Sequence, residues 1–241
     1  MAFVGPFEGT YENKKFMNDD VGPSTGCALN AVWFYEMEPS VATSLGWANL
    51  ESIFRQHRAP PGLYDINAVI DENGDAWFLE WTSRLGFDSE PTSACLVSDL
   101  GMLLHGVATG GALPGFDFDD VAYAIRLTVP PYPWEHAEKG QKGSPDGRSV
   151  RGVKSLWQDA FIGYNLRKVD GRLEVAGPEG IVGLAIAVGD DLERLDEQTL
   201  DAAESIECAG LQYRTDGAAN VAEAAKELLD AGVEVPTALT S

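Results

Sequence analysis

Oxygen-bearing side chains recur at short intervals in one stretch of the sequence, and the four that matter here are Asp65, Asn67, Glu80 and Thr82. The dipeptide Asn73-Gly74 lies between them and separates two runs of alternating polarity, which predicts a β-hairpin with a two-residue type I′ turn. In that register Asn67 lies opposite Glu80, and Asp65 lies opposite Thr82. Carboxylate, amide and hydroxyl oxygens are the ligands that a hard divalent cation prefers. The stretch therefore predicts a cation-binding face at the open end of a hairpin.

The opposite face of the same hairpin is apolar. Because side chains alternate between the two faces of a strand, one face carries Ile66, Ala68, Ile70, Trp77, Leu79 and Trp81. We expect this face to pack into the protein core.

The charge balance limits the possible partners. The chain has 38 acidic and 17 basic residues among 241, and its formal net charge is −21. Such a charge repels nucleic acid and anionic membrane surfaces, and no run of apolar residues is long enough for a membrane span. We therefore expect neither partner. With three dispersed cysteines and no signal-peptide pattern, we expect a cytoplasmic protein.

The apolar periodicity predicts an α+β protein. Strands are predicted over residues 28–34, 121–129, 160–169, 172–175, 180–188 and 211–215, and helices over 41–54, 92–107, 190–207 and 220–231. The segment 109–120, rich in Gly and Asp, suggests a boundary between domains at 1–115 and 116–241. A long loop is predicted over 130–152, after the strand 121–129. Its basic residues are either solvated or dock an acidic partner: Lys139, Lys142, Arg148 and Arg151.

Five segments carry a resemblance to a known family. In order along the chain they are Tyr11–Lys15, Asp20–Gly26, Phe78–Gly86, Ser98–Leu100 and Gly210–Gly217. Together they resemble successive landmarks of phosphoribosylamine–glycine ligase, an ATP-grasp enzyme of purine synthesis. The resemblance implies a partial ATP-grasp lobe on a mostly antiparallel sheet with flanking helices over 1–115. It implies a strand-rich α+β C-terminal domain over 116–241.

The resemblance also implies roles for individual residues. Glu80 falls on the family's metal-binding carboxylate, and Thr82 takes the place of its metal-binding asparagine. Arg84 would bind the nucleotide phosphates and act on the transferring phosphate, although a salt bridge to Asp88 or Glu90 is an alternative role. Together with Asn67 these residues imply Mg²⁺ or Mn²⁺ and ATP as cofactors. The family's anion-binding loop corresponds to a turn made of Gly22, Pro23, Ser24, Thr25 and Gly26.

The sequence departs from the family in three ways. The family's N-terminal domain and nucleotide-binding lobe have no counterpart here, Ser24 and Cys27 replace an asparagine and a glycine of the loop, and Phe87 interrupts the run after Arg84. We therefore expect an ATP-dependent carboxylate–amine ligase of this type that acts as a subunit or fragment. Its partner would be a second chain carrying the missing lobes, or another copy, and its substrates a small amine and a small carboxylate. The alternatives are a degenerate binding module and a structural assembly protein.

Overall fold

The computed structural model describes residues 6–133, 143–157 and 159–240, so Lys139 and Lys142 lie outside the described residues. The strands are β1 (Phe7–Lys15), β2 (Ser24–Tyr35), β3 (Asp65–Ile70), β4 (Ala76–Thr82), β5 (Val121–Thr128), β6 (Ser149–Arg151), β7 (Phe161–Gly163), β8 (Leu166–Val169), β9 (Arg172–Val175), β10 (Ile181–Gly189) and β11 (Glu207–Cys208). The helices are α1 (Ser40–Ser44), α2 (Trp47–His57), α3 (Ser89–Ser93), α4 (Leu100–Thr109), α5 (Leu192–Glu204) and α6 (Gly217–Asp230).

The core is built on a five-stranded sheet in the order β1-β2-β5-β10-β7, in which every neighbouring pair is antiparallel. Strand β5 is buried along its whole length, and β10 along most of it. Their near-continuous apolar sequences are typical of strands covered on both faces. The predicted α+β class with a mostly antiparallel sheet and flanking helices is confirmed.

Helices α5 and α6 cover one face of this sheet. Leu195 of α5 and Val221 of α6 pack there with Tyr123 and Ile125 of β5. The other face is covered near its centre by the segment around α3, where Leu96 packs on Phe34 and Ala122. The polar side chains Glu8 and Glu12 of β1 lie close enough to Asp65 of the hairpin to interact with it electrostatically.

Two smaller sheets complete the fold. One has four strands in the order β11-β6-β9-β8, and the other is the hairpin β3–β4. Strand β5 pairs with β2 in the central sheet, so that sheet is continuous across residue 115. The division into 1–115 and 116–241 stays a prediction.

Two predicted helices are broken at residues that cap helices. The 41–54 helix is split at Gly46, which has a φ of 74°. The 92–107 helix is interrupted because Asp99 is an N-cap, its side chain accepting a hydrogen bond of 2.8 Å from the Met102 backbone N–H. The predicted strand 211–215 is only a single bridge between Thr128 and Gln212. Among the described residues, no helix has both the length and the apolar character needed to cross a bilayer.

Candidate functional site

The open end of the hairpin has the predicted register. Asp65 lies opposite Thr82, and Asn67 lies opposite Glu80. The Asp65 carboxylate accepts hydrogen bonds from the Asn67 amide at 3.1 Å and from the Thr82 hydroxyl at 3.0 Å. Three of the four oxygen-bearing side chains are therefore joined in one network, beside an exposed Glu80.

The turn end of the hairpin differs from the prediction. The loop is a three-residue one, because the Gly74 N–H donates to the Asp71 carbonyl at 2.9 Å and the Asp71 N–H donates to the Asp75 carbonyl at 3.1 Å. Gly74 alone supplies the positive φ, at 81°. The Asp71 carboxylate also accepts from the Trp77 indole at 2.9 Å, which stabilises this loop. The predicted two-residue type I′ turn is therefore wrong.

The longer loop shifts the register by one residue. A β-bulge between the Asn67 and Ala68 pairings places Ala68 opposite Phe78. Trp77 lies opposite the exposed Val69, and Trp77 and Leu79 are each 61% exposed, so the prediction that they face the core is wrong. Trp81 follows the prediction better, because its ring packs 4.9 Å from that of Phe54 on α2.

Arg84 lies just beyond the hairpin and is exposed. Its guanidinium donates to the Leu85 carbonyl at 3.2 Å. Within the described part of the chain it forms no ion pair with Asp88 or Glu90, so the alternative role of a salt bridge is not seen. Asp88 instead pairs with Arg126, at 2.6 Å, and both side chains are buried.

The predicted substrate turn joins β1 to β2 and is shorter than expected. Ser24, Thr25 and Gly26 already belong to β2, and Ser24 pairs with Lys15. Gly22 and Gly26 have φ values of 92° and 80°, which favour glycine. The Pro23 carbonyl accepts from the Phe16 N–H at 3.1 Å and closes the turn. The turn stays a predicted substrate-binding site, and the open end of the hairpin stays a predicted metal-binding site.

A buried arginine that the residue pattern did not single out forms hydrogen bonds to residues just before this turn. Arg214 is 1% exposed. It forms two hydrogen bonds to Asp216, at 2.8 and 2.7 Å, and also donates to Asn13 at 2.7 Å, to the Lys15 carbonyl at 3.0 Å and to Asp20 at 2.8 Å. The periodicity predicted this segment only as a strand, and the resemblance gave it as a landmark with no assigned task. The structure shows that it ties the C-terminal part of the chain to the turn.

An acidic group lines the β1 edge of the same sheet face and was also missed. Burial raises the pKa of Glu8 to about 8, and the neighbouring Glu90 and Asp65 act in the same direction. Burial likewise raises the pKa values of Glu12 and Glu90, and in both cases Asp65 adds to the effect. The alternation of Glu8, Thr10 and Glu12 is a sequence signal for a polar strand face. Glu8, Glu12 and Glu90 thus form an acidic wall next to the polar end of the hairpin, and the raised pKa of Glu8 keeps that group largely protonated at neutral pH.

The side chains at the open end of the hairpin carry the oxygen ligands that a hard cation prefers, but few of them are carboxylates. In residues 6–133, 143–157 and 159–240, no group of three His, Cys, Asp or Glu side chains has metal-binding geometry. Mg²⁺ is commonly held by one or two carboxylates together with phosphate oxygens. Glu80, Asn67 and Thr82 fit such a site, in which most ligands come from a nucleotide.

Comparison with known proteins gives a likeness at the level of structure alone. No family model and no curated protein matches the sequence. A crystal structure of phosphoribosylamine–glycine ligase from Thermotoga maritima superposes with a TM-score of 0.66 at 19% identity, over 86% of this chain and 50% of that chain. A biotin carboxylase domain of a thermophilic 2-oxoglutarate carboxylase gives 0.47 at 14% identity, over 85% and 45% of the two chains. N5-carboxyaminoimidazole ribonucleotide synthetase from Thermotoga maritima gives 0.44 at 13% identity, over 74% and 45%.

The first of these structures decides the fold. At 19% identity a TM-score of 0.66 over most of this chain establishes a shared architecture, and this chain spans about half the length of the ligase that it matches. The resemblance read from the five sequence segments is therefore confirmed at the level of the fold: the chain shares the architecture of about half of a phosphoribosylamine–glycine ligase.

Proposed function

We propose that this chain is the metal- and phosphate-binding part of an ATP-dependent ligase that joins a carboxylate to an amine. The observation that carries the proposal is the open end of the hairpin, where Asn67 lies opposite Glu80 and Asp65 lies opposite Thr82. Of these four residues, Glu80 and Thr82 fall on positions that the family resemblance assigns to metal binding, and Asn67 is added by the register of the hairpin. The likeness of fold to phosphoribosylamine–glycine ligase supports the same reaction class.

In this proposal each residue has a limited task. Glu80, together with Asn67 and Thr82, would hold Mg²⁺ or Mn²⁺, which would supply positive charge next to the ATP phosphates. Arg84 is exposed, and among the described residues only one of its N–H donors is used, in the hydrogen bond to the Leu85 carbonyl. Its catalytic role would be to donate its other N–H groups to the transferring phosphate. The turn from Gly22 to Gly26 binds the anionic groups of the acceptor substrate through backbone N–H groups.

A partner is part of the proposal. Val69, Trp77, Phe78 and Leu79 are each at least 50% exposed and lie on one hairpin. Several large apolar side chains exposed on one hairpin are typical of a site that another domain or chain covers. We propose that a second chain with the nucleotide-binding lobe, or another copy, supplies that cover. The three free thiols, Cys27, Cys95 and Cys208, support a reducing cytoplasmic location.

One observation favours a second candidate function, a binding module without turnover. Thr82 stands where the family has a metal-binding asparagine, and its hydroxyl proton is donated to Asp65 at 3.0 Å. A hydroxyl is a weaker ligand than an amide oxygen, so metal affinity would depend almost entirely on Glu80 and the nucleotide. Such a site can retain Mg-nucleotide without positioning it for transfer.

Titration calorimetry with Mg-ADP tests the proposal. We expect heat of binding from the wild-type chain and at least a tenfold loss of affinity in Glu80→Gln, since removing a charged ligand partner is worth about 1.5–3 kcal/mol. The matched control is Glu72→Gln, which makes the same change at an exposed carboxylate at the turn end of the same hairpin. Equal affinities in all three proteins would contradict the proposal, and no binding by a folded wild-type chain would contradict metal and phosphate binding by this chain without its partner. Binding without phosphate release from ATP after partner and substrates are added would favour the binding module.

A further inference from the structure

Arg126 lies between two segments of the candidate site and contacts both. It is 7% exposed, and its Nε donates to the Asp88 carboxylate at 2.7 Å. On the opposite side its Nη1 donates to the Thr25 carbonyl at 3.2 Å. Asp88 follows Arg84 at the exit of the hairpin, and Thr25 belongs to the predicted substrate turn.

A second set of contacts repeats this connection. The Nη1 of Arg126 also donates to the Tyr132 hydroxyl at 2.8 Å, and the Tyr132 ring lies 5.7 Å from that of Phe16. Phe16 is the residue whose N–H closes the substrate turn by donating to the Pro23 carbonyl at 3.1 Å. Arg126 therefore supports the turn at both of its ends.

The hairpin side is supported equally closely. The guanidinium carbon of Arg126 lies 5.5 Å from the centre of the Phe87 ring, a cation–π distance. The Phe87 ring packs 5.1 Å from that of Tyr164, whose hydroxyl donates to the Phe87 carbonyl at 3.0 Å. The segment after Arg84 is thus fixed by its backbone, its aromatic ring and its buried carboxylate.

We infer that Arg126 is a positioning residue that fixes the substrate turn relative to the segment that carries Arg84. A guanidinium is needed because its planar fork reaches Asp88, Thr25 and Tyr132 at the same time, which a lysine ammonium cannot do. The catalytic meaning of this link depends on the proposed function, because that proposal identifies the turn and Arg84 as parts of one site. The physical link does not depend on it.

The test separates the link from overall stability. Arg126→Met leaves Asp88 buried without its partner, so we expect a marked fall in melting temperature. The double variant Arg126→Met, Asp88→Leu removes both charges, and buried ion pairs can often be replaced by apolar side chains without loss of stability. We therefore expect the double variant to recover most of the wild-type melting temperature.

Hydrogen exchange followed by mass spectrometry then reports the link itself. In the double variant we expect the Phe16 amide and the amides of residues 24–27 to exchange about tenfold to a hundredfold faster, because a hydrogen bond from a charged donor to this turn is lost. The β5–β10 amides should be unchanged. Arg126→Lys should give an intermediate rate at the turn, and Arg55→Met, at an exposed ion pair with Glu51, should give wild-type exchange.

Two results would overturn the inference: wild-type exchange at the turn in the double variant, or faster exchange spread evenly over the central sheet. If the double variant does not fold, Arg126→Lys decides, since wild-type exchange at its turn is incompatible with the link. The exchange experiment contains no nucleotide, so its outcome is independent of the Mg-ADP titration that tests the proposed function.

Discussion

Arg214 provides a quantitative test of how the fold is held together near the candidate site. Its guanidinium is fully enclosed and forms a two-point contact with Asp216, with N···O distances of 2.8 and 2.7 Å. It also reaches Asp20 at 2.8 Å. Arg214→Met keeps much of the side-chain volume but removes every one of these hydrogen bonds. Breaking a buried ion pair from one side costs about 3–5 kcal/mol.

The magnitude for this site is at the lower end of that range. The Asp216 side chain is 22% exposed and that of Asp20 is 56% exposed, so water can solvate both carboxylates once the arginine is gone. We therefore expect a loss of about 3 kcal/mol in the free energy of unfolding. For a chain of this size that corresponds to a fall of about 6–12 °C in Tm.

Urea denaturation at pH 7 measures this loss, with Arg55→Met as the control. Arg55 and Glu51 form an exposed pair four residues apart on a helix, which is worth about 0.3–0.5 kcal/mol. A loss below about 1 kcal/mol in Arg214→Met would refute the reasoning, because the buried network would then be no more important than a surface pair.

The same network predicts how the loss depends on pH. Hydrogen bonds from Arg214 lower the pKa of Asp20. Burial acts to raise the pKa of Asp216, but the hydrogen bonds from Arg214 outweigh it and the net shift is downward. A carboxyl whose pKa is lowered by folding contributes stability above its unfolded value, and that stability is lost as the pH falls through the folded value. The difference between wild type and Arg214→Met should therefore shrink below about pH 4.

Two further predictions concern other parts of the structure. Because burial raises the pKa of Glu8 from 4.5 to about 8, the free energy of unfolding falls as the pH rises between these values. Glu8→Gln should therefore stabilise the chain at pH 8 and not at pH 4.5. We expect about 1–2 kcal/mol at pH 8, because the side chain is partly exposed and solvent reduces the effect. Equal stabilisation at both pH values in urea denaturation would count against a buried ionisable Glu8. Gly217→Ala should lose about 2–3 kcal/mol, because the new methyl group would collide with the Tyr123 hydroxyl, which donates to Asp196 at 2.7 Å. Gly62→Ala, with open space around it, should be close to neutral, and similar thermal stability of the two alanine variants would contradict the packing argument.

The sequence was most informative where the structure is local. The pairing of Asn67 with Glu80, predicted from a two-residue turn at Asn73-Gly74, is correct because the bulge next to Asn67 offsets the extra residue of the loop. The bulge itself was not predicted. The three-residue loop is stabilised by the Asp71 side chain, which accepts from two backbone N–H groups and an indole. A side chain that folds back onto its own loop can override the preference of the two turn residues.

The sequence was least informative where distant residues meet. Arg214 contacts Asn13, 201 positions away along the chain. Arg126 reaches Thr25 and Asp88 at separations of 101 and 38 residues. No periodicity within a window of the sequence reports such contacts, so both arginines read as ordinary residues of β5 and of the C-terminal segment. Strand β1 was not predicted either, because Glu8, Thr10 and Glu12 occupy one of its faces in place of apolar side chains.

The location of the metal is the central claim, and paramagnetic broadening by Mn²⁺ tests it most directly. In the presence of ADP, Mn²⁺ broadens the NMR signals of nearby nuclei, and the hairpin carries an indole at each end. Trp81 lies beside Glu80, whereas the Trp77 indole donates to Asp71 at the turn. We predict stronger broadening of the Trp81 indole signal than of the Trp77 signal, and no such difference in Glu80→Gln. Broadening centred on Trp77, or equal broadening of all indoles, would contradict a metal site at the open end of the hairpin.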